Sequence, residues 1–341
     1  MHSSAFSIDY LDKTTSLISA SDVSEMSKYK DLIDLSRWYL AFCPTNSISD
    51  MFKLSLIMRD FVKKRNSDLV HNTTYSKELF FLFPFLSSIP ARLMTVHDPI
   101  PHDTISRIER LRMGIYQKFF KNRLLLSDAL LEDYLKFSGF NRNTIYFSRL
   151  SVYDFLTSYE VQRNDIGNYI LFFGRITYYK GVELLIEAFK NSQLWKQGIK
   201  LVIAGKGGLN CETPSQDDGI IFLNRYIENI ELANLIRWSM YVVLPYRSAT
   251  QSGCVMSAYA FNKPILATRV GDLPKEIEHN KTGFIIDPNS VECLQKGLIQ
   301  LSNNVFLDKL SHNIESKYKS GSKYSWYNIA KGLESIYSKI L

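Results

Sequence analysis

One loop of the chain combines cations and glycines in a pattern that suits phosphate binding. The apolar run 169–173 predicts a buried parallel strand, and the apolar spacing over 182–189 predicts an amphipathic helix. The loop between them holds two glycines and two cations, namely Gly174, Arg175, Lys180 and Gly181. A short loop that leads from a strand into a helix places its polar groups at the helix start.

The chemistry predicted for this loop is the neutralisation of a diphosphate. Free backbone N–H groups and the helix dipole favour an anion at a helix start. Arg175 offers a planar fork for phosphate oxygens, and Lys180 offers a point charge. The alternative interpretation is a plain strand-loop-helix connection whose two cations are solvated.

A second loop has a similar character. The predicted strand 241–246 leads into R-S-A-T-Q-S-G, and the small residues Ser252 and Gly253 stand at a predicted helix start. Their N–H groups can face a phosphate, so two such loops on one sheet would hold a diphosphate from two sides. The alternative is an ordinary serine N-cap.

Polar residues also end predicted strands in the first half of the chain. The predicted strand 91–98 ends in His97 and Asp98, and the predicted strand 123–128 has Ser127 at its end. Parallel sheets bind ligands at the carboxyl ends of their strands, so these residues predict a cleft. Alternatively, Asp98 caps the turn before Pro99, and His97 is a hydrogen-bonded loop histidine.

The length of 341 residues and the 45% apolar content fit two domains, each with its own core. Strand and helix patterns alternate along the chain, which predicts an α/β protein with parallel sheets. The polar, aperiodic stretch 154–168 is interpreted as a linker. We therefore expect a first domain over 1–160 and a second over 168–322.

The charge balance argues against a nucleic-acid partner. The net charge is +7 with a pI near 9.0, and the excess is spread over both halves. The exception is the segment 107–123, which has six cations, a single acid and several apolar residues. It predicts peripheral contact with anionic lipid; the alternative is a core helix with a solvated basic face.

The cysteines and the chain start indicate a cytoplasmic protein, placed at the inner face of the membrane if the basic segment binds lipid. Four cysteines lie far apart, which fits neither a zinc site nor a disulfide framework. The first residues lack the features of a signal peptide, and the longest apolar run is too short to cross a bilayer. No Asp-x-Asp motif follows a predicted strand, so we expect neither a metal nor a cofactor.

Four motifs occur in an order that carries a resemblance to a known family. They are F-F-G-R-I-x3-K-G, I-A-G-K-G, V-L-P-Y-x-S-A-T-Q-S-G with the later V-G-D-L-P, and K-T-G-F. Over about 169–286 the chain resembles the carboxyl-terminal domain of family 4 glycosyltransferases. That family has the GT-B architecture of two Rossmann-like domains facing a cleft. The resemblance also implies that the final helix, 324–341, crosses back to the first domain.

The resemblance implies a retaining transferase that moves a hexose from a nucleotide-sugar donor to a saccharide or lipid-linked acceptor in cell-surface glycan synthesis. Arg175 and Lys180 match the pair that neutralises the donor diphosphate, and His97 and Asp98 match groups that contact the sugar or the acceptor. The remaining donor-binding positions implied are Gly174, Gly205, Tyr226 at the nucleotide base, Ser252, Gly253 and Ser257.

Three departures from the family pattern leave alternatives open. Two glutamates common in the family are Ala249 and Ser257 here, and a further one is Lys275. The family's amino-terminal strand and glycine-rich turn are not visible in residues 1–40. The alternatives are a catalytically silent homologue that acts as a binding subunit, and a sugar-nucleotide epimerase, which would need carboxylates in the cleft.

Overall fold

The computed structural model describes most of the chain. The residues described are 15–30, 34–42, 47–73, 86, 89–97, 114–116, 118–128, 131–163, 165–209, 211, 214, 216–249, 252–319 and 321–341. Asp98 and much of the basic segment 107–123 lie outside these residues, as does most of the apolar run 79–86.

Strands and helices alternate, as the sequence predicts. The strands are β1 (Ser16–Ser19), β2 (Tyr39–Phe42), β3 (Leu69–Asn72), β4 (Ala91–Val96), β5 (Asn122–Leu125), β6 (Ile145–Phe147), β7 (Tyr169–Phe173), β8 (Lys200–Ala204), β9 (Ile220–Leu223), β10 (Val242–Leu244), β11 (Ile265–Thr268) and β12 (Gly283–Ile286). The helices are α1 (Ile48–Lys64), α2 (Leu131–Ser138), α3 (Val182–Ser192), α4 (Asn229–Trp238), α5 (Gly253–Tyr259), α6 (Leu273–Glu276), α7 (Val291–Leu301), α8 (Asn304–Tyr318) and α9 (Trp326–Ile340).

The larger sheet has six parallel strands in the order β12-β11-β10-β7-β8-β9. The strand β7 lies inside this sheet, and all five of its residues are buried. This burial explains its unbroken apolar sequence, since a parallel strand covered on both faces has no solvent side. The order changes direction at β7, because β8 lies on one side of it and β10 on the other. Such a reversal is where α/β sheets bind ligands.

The helix α3 buries its apolar stripe in the same core. Val182, Leu185 and Phe189 are fully buried within the cluster that includes β7. Their spacing is that of one helix face, which is why the sequence predicts this helix well.

The first half holds two smaller sheets. One has the strand order β3-β4-β5-β6, with β3 and β4 parallel, and the other is an antiparallel pair of β1 and β2. The predicted α/β class with parallel sheets is confirmed, whereas the antiparallel pair was not foreseen from the sequence. No described helix is both long and apolar enough to cross a membrane.

Contacts divide the chain into two compact units. Unit 1 comprises Met1–Val96, Ile105–Leu124 and Ile336–Leu341, and unit 2 comprises His97–Thr104 and Leu125–Ser335. The six-stranded sheet lies wholly in unit 2. The domain limits expected from the sequence, 1–160 and 168–322 with a returning helix, stay predictions.

Candidate functional site

A glycine directly follows each of the strands β7 and β8, and the two glycines lie side by side. The N–H of Gly174 donates to the carbonyl oxygen of Ala204 at 3.0 Å, and a Cβ added at Gly205 would overlap the carbonyl oxygen of Gly174. Gly174 has a φ of 125°, which side chains disfavour. Glycine at both positions therefore lets the two loops leave the sheet in close contact.

A tight turn positions Lys180. Tyr178–Lys180 form a single 3-10 turn, and Gly181 adopts the left-handed conformation at the start of α3. A Cβ at Gly181 would overlap the carbonyl oxygen of Pro245, which directly follows the neighbouring strand β10. The glycine thus holds the Lys180 loop against the loop that follows β10.

Tyr246 links the two predicted phosphate loops. The ammonium of Lys180 lies 3.6 Å from the centre of the Tyr246 ring, within the range of a cation–π contact. The Tyr246 hydroxyl lies 3.1 Å from the Ser252 hydroxyl. Full burial is the main reason that the pKa of Tyr246 is raised well above its ordinary value, so the phenol stays neutral. The two loops predicted from the sequence therefore lie together at one edge of the sheet.

Tyr246 is itself held in place by a buried threonine of the strand β11. The Thr268 hydroxyl at the end of β11 donates to the Tyr246 carbonyl oxygen at 2.6 Å. Thr268 is fully buried. A rigid aromatic ring under Lys180 restricts where its ammonium can lie, which is the kind of preorganisation that charge stabilisation needs.

Arg175 is the second predicted cation of the first loop. Its side chain is exposed and forms no ion pair with any residue that the structure describes. A guanidinium without a carboxylate partner is available to an anionic ligand.

A third cation, Arg247, lies beside the Lys180 loop. Its guanidinium stacks 4.4 Å from the centre of the Tyr178 ring and donates to the side-chain oxygen of Asn289 at 3.1 Å. Its backbone N–H donates to the carbonyl oxygen of Tyr179 at 2.8 Å. Arg247 thus fastens the turn that carries Lys180.

The start of α5 is partly covered. Ser252 is buried, whereas Gly253 is exposed, and a Cβ at Gly253 would lie 3.3 Å from the Tyr153 hydroxyl. Ser257 is buried, and its hydroxyl donates to the Gly253 carbonyl oxygen at 3.0 Å. The structure therefore places Ser252 and Gly253 at the site but turns the Ser257 hydroxyl toward the helix backbone.

Tyr226 follows β9 at the outer side of the same sheet. Its side chain is 55% exposed. The preceding Arg225 makes a bidentate pair with Glu231, with distances of 2.6 and 2.7 Å. This pair fixes the backbone beside Tyr226 and leaves its ring open for stacking.

The residues predicted at the strand ends of the first half are less fully described. His97 is exposed just after β4, and Asp98 lies outside the described residues. Beside Ser127, the carboxylate of Asp128 pairs with Lys275 at 2.8 Å, and this hydrogen bond lowers the pKa of Asp128. The lysine that replaces a family glutamate therefore has a structural partner in unit 2.

A buried carboxyl group lies close to this region of unit 2. Burial, and then the nearby Asp272, raise the pKa of Glu276 to about 8, although Lys317 opposes the shift. Its Oε2 accepts no hydrogen bond from the described part of the chain. Glu276 also contributes to the raised pKa of Tyr153, after burial and Cys254.

Sequence reasoning missed Tyr246 and Arg247. The sequence did contain a signal for them, because Tyr246 and Arg247 come just after Pro245 at the end of the predicted strand 241–246. An aromatic residue beside a predicted lysine loop suggests a cation–π contact only once the strand order is known. Among the described residues, no three His, Cys, Asp or Glu side chains come together as a metal site.

The sequence of unit 2 matches a known family. Residues 167–304 match the family described as glycosyl transferases group 1. An uncharacterised glycosyltransferase of Methanocaldococcus jannaschii is 31% identical over 175 residues, which are 49% of this chain and 44% of that protein. The chain therefore covers less than half the length of that relative.

Other relatives extend over more of the chain. The capsular polysaccharide biosynthesis glycosyltransferase CapM of Staphylococcus aureus is 22% identical, over 95% of this chain and 90% of its own. The solved structure of Anabaena Alr3699/HepE in complex with UDP and glucose has a TM-score of 0.64 at 15% identity, and covers 84% of this chain and 82% of that one. We conclude that the chain has the GT-B fold and that its residues 167–304 are similar in sequence to the glycosyl transferases group 1.

Proposed function

We propose that the protein is a retaining glycosyltransferase of family 4, which transfers a hexose from a nucleotide diphosphate sugar to a saccharide or lipid-linked acceptor in surface glycan synthesis. The observation that carries the proposal is the contact of Lys180 with Tyr246, whose hydroxyl meets Ser252. It joins two loops that resemble the family's donor-binding motifs. The relative named for capsular polysaccharide biosynthesis supports a surface glycan as the product.

In the proposed mechanism, the protein stabilises the leaving group. As the glycosidic bond breaks, negative charge grows on the diphosphate, and Arg175 and Lys180 bind that charge more strongly than they bind the intact donor. The acceptor hydroxyl attacks from the face that the diphosphate leaves and passes its proton to the departing phosphate oxygen, so the sugar keeps its anomeric configuration. No cofactor and no metal takes part, because the two cations neutralise the diphosphate.

The other predicted residues have subsidiary roles. The N–H groups near Ser252 and Gly253 contact the phosphates, and Tyr226 stacks on the nucleotide base, which its exposed ring suits. His97 and Asp98 contact the sugar or the acceptor. The proposal also includes a cytoplasmic location and contact of the segment 107–123 with anionic lipid.

Calorimetry with UDP, GDP and ADP, and with their sugar conjugates, tests the proposal. We expect one nucleotide to bind, and we expect Arg175→Ala and Lys180→Ala each to lower the transfer rate by about 100-fold or more, the loss seen when one charge-stabilising donor is removed. Lys319→Ala, which removes an exposed cation at the end of α8, is the matched control. A chain that binds no nucleotide would contradict the proposal.

One observation favours the second candidate, a binding subunit without activity. Neither Ala249 nor Ser257 has the carboxylate expected at the ribose. The Ser257 hydroxyl is moreover turned toward the Gly253 carbonyl oxygen. Slow hydrolysis of the donor by the purified protein, lost in Lys180→Ala, would exclude this candidate. Donor binding without hydrolysis or transfer would support it.

A further inference from the structure

The pairing of β7 with β8 continues beyond both strands. Within the strands, Phe173 is in register with Ala204. Beyond them, the N–H of Ile176 donates to the carbonyl oxygen of Lys206 at 3.0 Å, and Ile176 and Gly207 form a parallel bridge. The register therefore runs through the loops, and it places Arg175 directly beside Lys206.

Glycines enforce this close approach. A Cβ added at Gly205 would overlap the carbonyl oxygen of Gly174, and one added at Gly207 would overlap that of Ile176. The N–H of Gly207 is held by the side-chain oxygen of Asn224 at 3.0 Å. The two backbones are thus fixed against each other at the level of Arg175 and Lys206.

The two cations carry uncompensated charge. Both side chains are exposed, and within the described parts of the chain neither forms an ion pair. Other cations of unit 2 do pair with acids, for example Lys190 with Asp218 at 2.6 Å. Two like charges on adjacent register positions repel each other, and an anion between them converts that repulsion into attraction.

We propose that Lys206 is a further donor-binding residue, which together with Arg175 holds the diphosphate of the nucleotide sugar. This inference rests on the proposed function and adds to it a cation that the sequence motifs did not single out. The guanidinium fork and the ammonium approach the same phosphate group from neighbouring strand ends. Lys206 also extends the cationic edge from β7 to β8, away from the Lys180 loop beside β10.

The test measures the binding of UDP and of inorganic pyrophosphate by calorimetry at fixed ionic strength. We expect Lys206→Ala to weaken both ligands about tenfold, the usual effect of losing one charge-assisted hydrogen bond. Lys206→Arg should stay within about threefold of the wild type, because it keeps the charge. The control Lys319→Ala removes one exposed charge elsewhere on unit 2 and should change affinity less than twofold.

A double variant adds a sharper criterion. If Arg175 and Lys206 hold the same phosphate, Arg175→Ala combined with Lys206→Ala should lose less affinity than the product of the two single losses. Equal affinities for Lys206→Ala and Lys319→Ala would overturn the inference.

The two ligands separate the failure of this inference from the failure of the proposed function. One outcome is that the wild type binds pyrophosphate, that Lys206→Ala weakens this binding, and that no nucleotide binds. This outcome supports the role of Lys206 and contradicts the proposed nucleotide-sugar donor. If UDP binds the wild type and Lys206→Ala equally well, the proposed function stands and the role of Lys206 falls. If the wild type binds neither pyrophosphate nor any of UDP, GDP and ADP, both are overturned.

Discussion

Unit 1 and unit 2 share parallel strand pairing but differ in where they use glycine. In unit 2, Gly181, Gly205 and Gly207 each sit where a Cβ would overlap a backbone carbonyl of a neighbouring loop. Unit 1 contains a single glycine, Gly114, which lies in a helical stretch and has open space around its Cβ position. Loops that touch through backbone atoms tolerate few residue types, which explains why the family's sequence pattern falls in unit 2.

Buried ionisable groups also differ between the units. In unit 1, burial lowers the pKa of His71 to about 4, and its ring nitrogens lie 2.7 Å from the Tyr337 hydroxyl and 2.8 Å from the Thr95 hydroxyl. In unit 2, burial and Asp272 raise the pKa of Glu276 to about 8. Both groups are neutral in the fold at pH 7, and their contributions to stability change with pH in opposite directions.

The largest effect expected concerns the glycine contacts of unit 2. Gly205→Ala forces a Cβ into the Gly174 carbonyl and should lower the free energy of unfolding by about 3 to 5 kcal/mol. The measurement is tryptophan fluorescence during urea unfolding in a Trp38→Phe background, where the remaining tryptophans, Trp195, Trp238 and Trp326, all lie in unit 2.

Gly208→Ala provides the matched control, because nothing lies within 4 Å of its Cβ position. It should change stability by less than about 1 kcal/mol. Similar losses for the two variants would remove the contrast drawn between close and open glycines.

The next effect concerns the carboxyl group of Glu276. Its folded pKa of about 8 lies above the ordinary value of 4.5, so the stability that its neutral form contributes is present below pH 4.5 and is lost as the pH rises to 8. Glu276→Gln removes this dependence. The variant should therefore gain about 2 to 4 kcal/mol relative to the wild type between pH 5 and pH 8.

Urea unfolding at several pH values measures this gain. The control is Glu292→Gln on the exposed face of α7, where pairing with Lys296 lowers the pKa of the carboxyl. Parallel stability curves for the wild type and Glu276→Gln would show that the Glu276 carboxyl is ionised in the fold.

The smallest effect concerns unit 1. The folded pKa of His71 lies below the ordinary 6.5, so its contribution to stability is present above pH 6.5 and is lost as the pH falls toward 4. His71→Ala leaves the Tyr337 and Thr95 hydroxyls without this partner and should cost about 1 to 2 kcal/mol at pH 7.

Hydrogen exchange of β3 and β4 localises this loss to unit 1. Tyr337→Phe, which removes one hydrogen bond and keeps the ring contact with His71, should cost about half as much. Faster exchange in β7 but not in β3 would contradict the assignment of His71 to the stability of unit 1.

The sequence predicted most of unit 2 because local pattern and tertiary burial agree there. The apolar run 169–173 became a fully buried strand, and the helical spacing that begins at Val182 became a helix with one buried face. The glycines marked the loops between them. Arg175, Lys180, Ser252 and Gly253 were found for the same reason, although their roles in binding remain predictions.

The sequence could not reveal contacts that depend on strand order. Lys180 meets Tyr246 because β7 and β10 are neighbours, and Arg175 lies beside Lys206 because β7 and β8 are in register. The direction of the Ser257 hydroxyl was equally hidden, since a buried serine bonds either to its own helix or to a ligand. The antiparallel pair β1 and β2 was missed because β1 has only two apolar residues, Leu17 and Ile18, between two serines.

The position of Tyr246 has a consequence for how the proposed donor preference can diverge. The Tyr246 ring contacts the Lys180 ammonium of one loop, and the Tyr246 hydroxyl lies beside the Ser252 hydroxyl of the other loop. A substitution there disturbs both loops at once, so these loops are constrained to change together. Tyr226 is exposed and outside this linkage. Under the proposed function, variation in nucleotide choice should therefore accumulate around β9, while the loops that follow β7 and β10 stay fixed.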